Sequence, residues 1–528
     1  MITIKHIRHC IIYNSRHLVI LFLLAFMTKV AMVQELAIIP KPSGSIVLKE
    51  GATFSIDGGT SVAADPAFIS DAQILAGYLK KVFGVTVPVK QTGNIHSSNA
   101  GILLKHVPKT DVSAEGYILD VSEQQIQILA SSSSGAFYGC MSLVQSVIDK
   151  GAGGIAIPGI RIQDQPRFRW RGLMLDCSRT FLSVEYLKKI IDRMSFYKMN
   201  SLHLHLTDDQ GWRLEIKKYP LLTGKGAFFD KRYNEPKEFE GFYTQVQMKE
   251  LVEYAQRKHV TIIPEIEFPG HNHAALYAYP ALSCSGEVSP VFPFFSGPGI
   301  TNSVFCAGNK DTYVFFKNVI DEVAHIFPAV YMHLGGDEVP EGAWNDCDNC
   351  KLIMDNLGIK DQEHLQGYMM NRVGSNVTAN ARRPVGWDEV FSQGVDKKWI
   401  IMVWRDQNRG LDEVKAGYDV VLCPTSNLYF DYSYATTPTR KVYAFDPVPE
   451  NLTEDETKRY LGIQACFWSH IDRTESRIDY QLFPRVLALA ERAWSEKSVT
   501  DYANFHDREL KHRYWLDYFD VKANWTEK

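Results

Sequence analysis

The string His333-Leu-Gly-Gly-Asp337-Glu338 closes a short apolar run and holds a concentrated set of acid–base groups. Gly335 and Gly336 allow the backbone to turn and to approach a ligand closely, with no side chain in the way. Neighbouring residues on a regular strand point to opposite faces. Asp337 and Glu338 can therefore share a site only at an irregular strand end, which the paired glycines supply. Two carboxylates held close together do not both ionise freely, so one can keep its proton and act as an acid.

Other apolar runs end in the same way. The first is flanked by Arg171 and ends Asp176-Cys-Ser-Arg179, the second contains His203-Leu-His205-Leu-Thr-Asp208-Asp209, and the third ends Glu265-Ile-Glu267-Phe-Pro-Gly-His271. Four later runs end mainly in aromatics: Gly386-Trp387-Asp388-Glu389, Trp404-Arg405-Asp406, Tyr429-Phe430-Asp431-Tyr432 and Trp468-Ser469-His470. Polar groups that interrupt apolar strands cost free energy unless something pairs with them. Carboxylates on one side and Trp or Tyr on the other make a cup suited to general acid–base work on a sugar ring. No phosphate loop, serine-nucleophile elbow or dinucleotide fingerprint competes, which leaves glycoside hydrolysis as the chemistry of choice.

These groups need a scaffold that brings eight strand ends to one rim. Strand-like runs fall at 172–177, 201–207, 260–268, 330–334, 384–387, 399–404, 419–423 and 462–468. Helix-like stretches at 183–197, 245–258, 313–326 and 362–379 separate some of them, and another at 478–494 follows the last. Eight strands with long crossovers predict an α/β fold, a (β/α)8 barrel whose chemistry sits at the C-terminal strand ends. Residues 34–164 alternate short β-like runs (45–48, 117–121, 125–130) with helical ones (69–83, 135–149), which predicts a small α+β domain ahead of the barrel. The Gly-rich stretch 151–158 and Asp164-Gln165-Pro166 punctuate the boundary, and the barrel with a C-terminal helical end takes 165–528.

The 528 residues are 45% hydrophobic and 22% charged, globular values that exclude a disordered or collagenous chain. A net charge of -4 excludes a polybasic nucleic-acid binder. Lys5, Arg8 and Arg16 precede an apolar run at 18–27, and Ala31-Met32-Val33 offers small residues for cleavage, so 1–33 reads as a signal peptide. The run has about ten residues where a membrane span needs about 20, so no stable membrane insertion is expected after cleavage. The segment's four cations (with Lys29) and lack of acids mean that cleavage takes the formal charge from -4 to -8. An exported, periplasmic or secreted protein is expected. Cys347 and Cys350 form a C-x2-C, but no second C-x2-C or H-x3-H completes four ligands, so no metal is assigned there. A disulfide involving those two is expected instead, with Cys284 and Cys306 as a second pair.

Taken in order from about 170 to 494, these motifs resemble glycoside hydrolase family 20, the β-N-acetylhexosaminidases, and the preceding stretch resembles that family's small α+β domain. The resemblance implies exo-acting, retaining removal of terminal β-linked N-acetylglucosamine or N-acetylgalactosamine, with the substrate's own 2-acetamido oxygen as nucleophile. Glu338 would be the acid and then the base, Asp337 would orient the acetamido group, and Tyr429 would hydrogen-bond its carbonyl. Trp387, Trp404 and Trp468 would wall the pocket, Arg171 and Asp431 would reach ring hydroxyls, and Asp208 and His271 would support the acid. Asp209 reads as structural. A buried ion-pair network is at least as good a reading as substrate contact for Asp176, Arg179, Glu265, Glu267 and His333. No metal or organic cofactor is implied, and the partner is a glycan.

One position departs from the family's pattern: His470 stands where a Glu usually follows the last barrel Trp by two residues, which implies altered recognition of the terminal sugar, at an axial hydroxyl or a negatively charged substituent. Replacement of that acid by Asp472 is the simpler alternative. The rival readings are a metal-dependent amidohydrolase built on His203-x-His205, for which no later set completes the ligands, a non-catalytic glycan-binding homologue, and a disaccharide-releasing enzyme of the same family.

Overall fold

The computed structural model describes residues 36–92, 100–151, 154–297, 301–405 and 408–526; the signal-peptide expectation lies outside the described residues. No helix among the described residues is long and apolar enough to cross a membrane.

The amino-terminal part is a mixed sheet. Its long strands Ile46–Asp57 and Gly154–Asp164 pair antiparallel, as do Tyr117–Val121 and Ile126–Ala130, whereas Val62–Ala64, Ile102–His106 and Ile126–Ala130 run parallel to one another. Helices Ile69–Phe83 and Ser133–Gln145 pack on each other and on this sheet. The Gly-rich stretch read as punctuation is instead a hairpin, in which Asp149–Gly151 pairs with the start of Gly154–Asp164.

The barrel follows the expected order. Its strands are β1 (Trp170–Asp176), β2 (Ser201–His205), β3 (Thr261–Glu265), β4 (Tyr331–His333), β5 (Arg383–Trp387), β6 (Ile400–Val403), β7 (Asp419–Leu422) and β8 (Tyr460–Phe467). Each runs parallel to the next, and β8 closes on β1 with Gly462 opposite Trp170. Every residue of β1 and of β8 is buried, as parallel strands between an inner core and an outer helical layer must be. The interior is filled by Met174, Ile263, Val385, Met402, Val421 and Cys466.

Local signals set the helix boundaries. Ser183 caps Val184–Phe196 by accepting from the Tyr186 N–H, and Thr244 with Gln247 forms a capping box on Gln245–Gln256. The single helix expected over 478–494 is two, Glu475–Leu482 and Arg485–Trp494. Pro484 separates them, because it has no N–H to donate.

Two expectations are corrected. All eight described cysteines are free, and the two expected disulfide pairs are one cluster: Cys284, Cys306, Cys347 and Cys350 converge, with sulfurs 3.6 to 3.7 Å apart. The partners missing from the C-x2-C motif come from a different loop, which linear spacing does not reveal.

Arg171 is not at the sugar-binding rim. It lies at the start of β1, the opposite end of the barrel from the catalytic strand ends, with no exposed surface. Its guanidinium pairs with Glu115 at 2.7 Å and donates to the carbonyls of Phe168 and Lys198 and to the Tyr138 hydroxyl, joining the barrel to the amino-terminal domain. Replacing it strands several buried acceptors. Arg171→Leu is expected to cost about 2–3 kcal/mol in urea unfolding, discounted because Glu115 keeps some solvent contact, while any activity carried by the opposite rim stays within about twofold.

Candidate active site

The barrel sequence places an ionic layer directly beneath the rim. Glu265, at the end of β3, is fully buried, with His205 Nδ1 2.5 Å, His333 Nδ1 2.7 Å and His203 Nε2 3.1 Å away. Burial alone would raise this carboxyl, but His333, His205 and His203 together hold it well below the carboxylate range. Burial would likewise keep His205 neutral, yet Glu265 and Asp208 outweigh it and push the imidazole up to about 9. His203 is held down to about 4 by burial and accepts from Gln464.

The next layer reaches the catalytic pair. Asp208 accepts from His205 Nε2 at 2.8 Å, pairs with Arg179 at 2.7 Å and meets His271 Nδ1 at 3.3 Å. Despite the opposing effect of burial, Arg179 and His271 hold Asp208 far below the usual carboxylate range. The other nitrogen of His271 faces Glu338 at 3.4 Å and Asp337 at 3.6 Å. Burial opposes a charged His271, but Asp208 and Asp337 overcome it, so the ring is an imidazolium shared between both carboxylates.

The paired acids do sit on an irregular strand end. Gly335 and Gly336 have φ of 64° and 96°, and Glu338 itself has a φ of 47°. A side chain at 335 has no room, since a Cβ there would lie 1.7 Å from Glu267 Oε2. Glu267 is buried and neither of its oxygens has a hydrogen-bond partner. Burial, with Asp337 and Glu265 nearby, raises it well above a normal Glu, so it stays protonated. Asp337 is 8% exposed, and burial raises it to about 6. Glu338 is more open, its side chain 41% exposed, and contact with His271 holds it below its ordinary value.

Above this layer is a cavity of about 230 Å³ lined by Asp337, Glu338, Trp387, Trp404, Tyr429 and Trp468, with Arg179, Phe294 and His470. Trp387 and Trp468 meet at 6.0 Å between ring centroids, and Trp404 stacks with Tyr429 at 6.3 Å. Glu389, raised to about 9 by burial and Asp337, accepts from the Trp404 indole at 3.0 Å and fixes that wall. Asp176 accepts from the Ser469 N–H at 3.1 Å, tying the end of β1 to the loop that carries His470. The Trp387 Nε1 and Asp337 Oδ1 atoms are buried on this wall without a hydrogen-bond partner, a donor and an acceptor that a ligand can satisfy, whereas Arg179 Nη1 lies 3.6 Å from Asp176.

The structure thus gathers Glu338, Asp337, Tyr429, the three Trp and His470, with Asp208 and His271 behind them. Asp431 is buried but is not on the cavity wall; its Oδ1 has no partner, and burial raises it to about 7. Asp209 is structural, accepting from the N–H groups of His273 and Thr301. Trp212 and Arg213 are spent on backbone carbonyls. Asp472 does not replace the missing acid, because Arg477 and Gln481 occupy it.

Two wall residues were not assigned to the wall from sequence. Arg179 packs over the Trp468 ring at 4.8 Å and is the guanidinium that faces the cavity, so the rim cation comes after β1 and not before it. Phe294 comes from the loop between β3 and β4 and packs on His470 at 4.9 Å. An aromatic in a long loop carries no spacing that would mark it.

Comparison with known proteins agrees with this geometry. The family model described as glycosyl hydrolase family 20, catalytic domain, matches residues 168–497, and that family's domain 2 matches 35–165. A β-hexosaminidase of Porphyromonas gingivalis is 36% identical over 474 residues, covering 86% of this chain; the chain spans 60% of that relative's length. A β-N-acetylhexosaminidase of Cellulomonas fimi is 31% identical and covers 92% of this chain and 95% of its own. The crystal structure of an exo β-N-acetylglucosaminidase from Vibrio harveyi in complex with N-acetylglucosamine superposes with a TM-score of 0.84 at 32% identity, covering 93% of this chain and 79% of that one. With the acid pair, its histidine and the aromatic wall in place, and with the family model spanning the barrel, the chain belongs to glycosyl hydrolase family 20.

Proposed function

We propose that the protein is an exo-acting, retaining β-N-acetylhexosaminidase that releases terminal β-linked N-acetylglucosamine or N-acetylgalactosamine from glycans. The observation that carries this reading is an asymmetry: among the described residues Asp337 and Glu338 are the only carboxylates lining the cavity, and they come from adjacent positions on one strand end. A retaining glycosidase with its own nucleophile needs a second carboxylate across the ring, about 5–5.5 Å from the first. Here aromatics, Arg179 and His470 complete the wall, so the attacking oxygen has to come from the substrate.

In the first step Glu338 gives its proton to the glycosidic oxygen as the bond to C1 breaks. The acetamido carbonyl oxygen forms the new bond to C1, giving an oxazolinium ion. Asp337 accepts from the acetamido N–H and balances the positive charge, Tyr429 donates to the carbonyl oxygen, and the three Trp hold the group against C1. In the second step Glu338, now a carboxylate, takes a proton from water, whose oxygen attacks C1 and restores the acetamide. A cavity of about 230 Å³ is below the roughly 300–1,000 Å³ of drug-sized sites and favours release of one sugar over a disaccharide. Export to the periplasm or medium is part of the proposal and rests on the amino-terminal apolar run.

In the free protein the shared proton favours Asp337, since burial raises that group while His271 lowers Glu338. Substrate reverses the preference. A bound sugar strips water from the half-exposed Glu338, which raises it, and brings the acetamido N–H donor to Asp337, which lowers it.

His470 faces this cavity as a neutral ring, because burial and then Arg179 lower its pKa. It therefore offers one donor and one acceptor to a terminal hydroxyl, and any attraction to a charged substituent has to come from Arg179.

Three outcomes test this. Wild type is expected to release nitrophenol from nitrophenyl N-acetyl-β-glucosaminide, while Glu338→Gln loses roughly 10²-fold or more on a natural glycan and less on the nitrophenyl substrate, whose leaving group needs little protonation. Equal losses on both would remove Glu338 from the acid role. The plot of kcat/KM against pH should be bell-shaped, with limbs that belong to the Asp337–Glu338 pair as a unit. His271→Asn deletes a cation that lowers both carboxyls, so both limbs should move to higher pH; unmoved limbs would exclude the imidazolium. Finally, His470→Glu should shift the gluco-to-galacto ratio of kcat/KM by about 5–10-fold, and an unchanged ratio would take His470 out of terminal-sugar recognition.

A further inference from the structure

Four cysteines from three separate stretches of chain meet between the segments that follow β3 and β4, and the mechanism uses none of them. Cys284 follows the short turn Pro280–Leu282, Cys306 lies further along the same β3–β4 loop, and Cys347 and Cys350 open the helix Asp348–Leu357 after β4. The Cys284–Cys350 sulfurs are 3.7 Å apart, and Cys306 is 3.6 Å from both Cys347 and Cys350. All four sulfurs lie within 4.8 Å of one another.

That spacing separates two chemistries. A disulfide brings two sulfurs to about 2.05 Å and leaves the other pair with no reason to approach. Four thiolates around one zinc, each at about 2.3 Å, sit at the corners of a tetrahedron with edges of about 3.8 Å. The Cys284–Cys350, Cys306–Cys347 and Cys306–Cys350 separations match that edge, and Cys306 has all three other sulfurs within 4.8 Å, as a corner of a tetrahedron does and a member of a disulfide does not.

The cluster is enclosed by the fold. Cys306, Cys347 and Cys350 are buried and Cys284 is partly so. The Gly308 N–H donates to the sulfurs of Cys306 and Cys350. Position 308 has to be glycine for that approach, because a Cβ would lie 2.1 Å from the Asn349 carbonyl oxygen. Packing fixes the same segments from the other side: the buried Trp344 indole donates to the Phe305 carbonyl at 2.9 Å, and the Cys306 N–H donates to the Leu282 carbonyl at 2.9 Å.

We propose that Cys284, Cys306, Cys347 and Cys350 bind one structural zinc ion as a closed tetrathiolate site. Binding releases four thiol protons to solvent and leaves no open position for water, so the ion takes no part in hydrolysis. It joins the two loops that matter most to the cavity. One carries Phe294 between Cys284 and Cys306; the other runs from Glu338 to Cys347.

The test does not depend on the proposed activity. The full chain, purified without chelators, is assayed for zinc by mass spectrometry of the elements and for thiols by alkylation and intact mass. About one zinc per chain, lost in Cys350→Ser, is the expected result. Zinc stripped by a mercurial titrating the thiols should lower the thermal midpoint, and added zinc, not magnesium, should restore it. If Cys350→Ser does not fold, the wild-type zinc content and its release by the mercurial decide alone. A metal-free wild type, with the four sulfurs either freely alkylated or oxidised to two disulfides and the mass correspondingly about 4 Da lower, would overturn the proposal.

Discussion

The buried charge of Glu265 is the constraint on which this site is built. A carboxylate with no exposed surface is tolerable only if it is paired and hydrogen-bonded, and the barrel interior sets three histidines around it, of which His205 is held in its charged form. His205 passes that constraint to Asp208, Asp208 passes it to Arg179 and His271, and His271 meets both members of the acid pair. Each group is held by the charge of the one beneath it, so the orientation of Glu338 follows from a residue two layers below. The barrel makes this possible, because parallel strands in register bring His205, Glu265 and Asp176 to one level.

Much of this was legible in the sequence because two periodicities coincide. Parallel strands buried on both faces read as unbroken apolar runs, and all eight were visible. The residues that break those runs at their ends then fall on one rim, which is why Asp337, Glu338, Tyr429 and the three Trp were assigned together. Gly335 was legible for a related reason, since a glycine pair before two acids has few other uses.

The misreadings have a common cause: linear position does not say which end of a strand a residue occupies in space or what lies across from it. Arg171 and Arg179 flank the same strand, and only the direction of β1 decides that the second reaches the cavity and the first is buried under the amino-terminal domain. The four cysteines failed as a pattern because their partners are separated by a helix, a strand and a loop. Phe294 failed because a loop aromatic has no period. What sequence spacing encodes well is the repeat of the scaffold; contacts made across long loops it encodes poorly.

The cavity wall has two halves of different origin. Asp337 and Glu338 rest on an ionic stack in which every member is wedged by its neighbours, and even a methyl group at Gly335 would collide with Glu267. His470 and Phe294 instead touch each other at the mouth, on loops, through a ring contact that makes few demands on its partners. Substitutions at the mouth can therefore accumulate while the reaction below is unaffected. On the proposed reading of His470, a lineage carrying this scaffold drifts from one sugar diet to another by changing these two rings, with the chemistry beneath them kept.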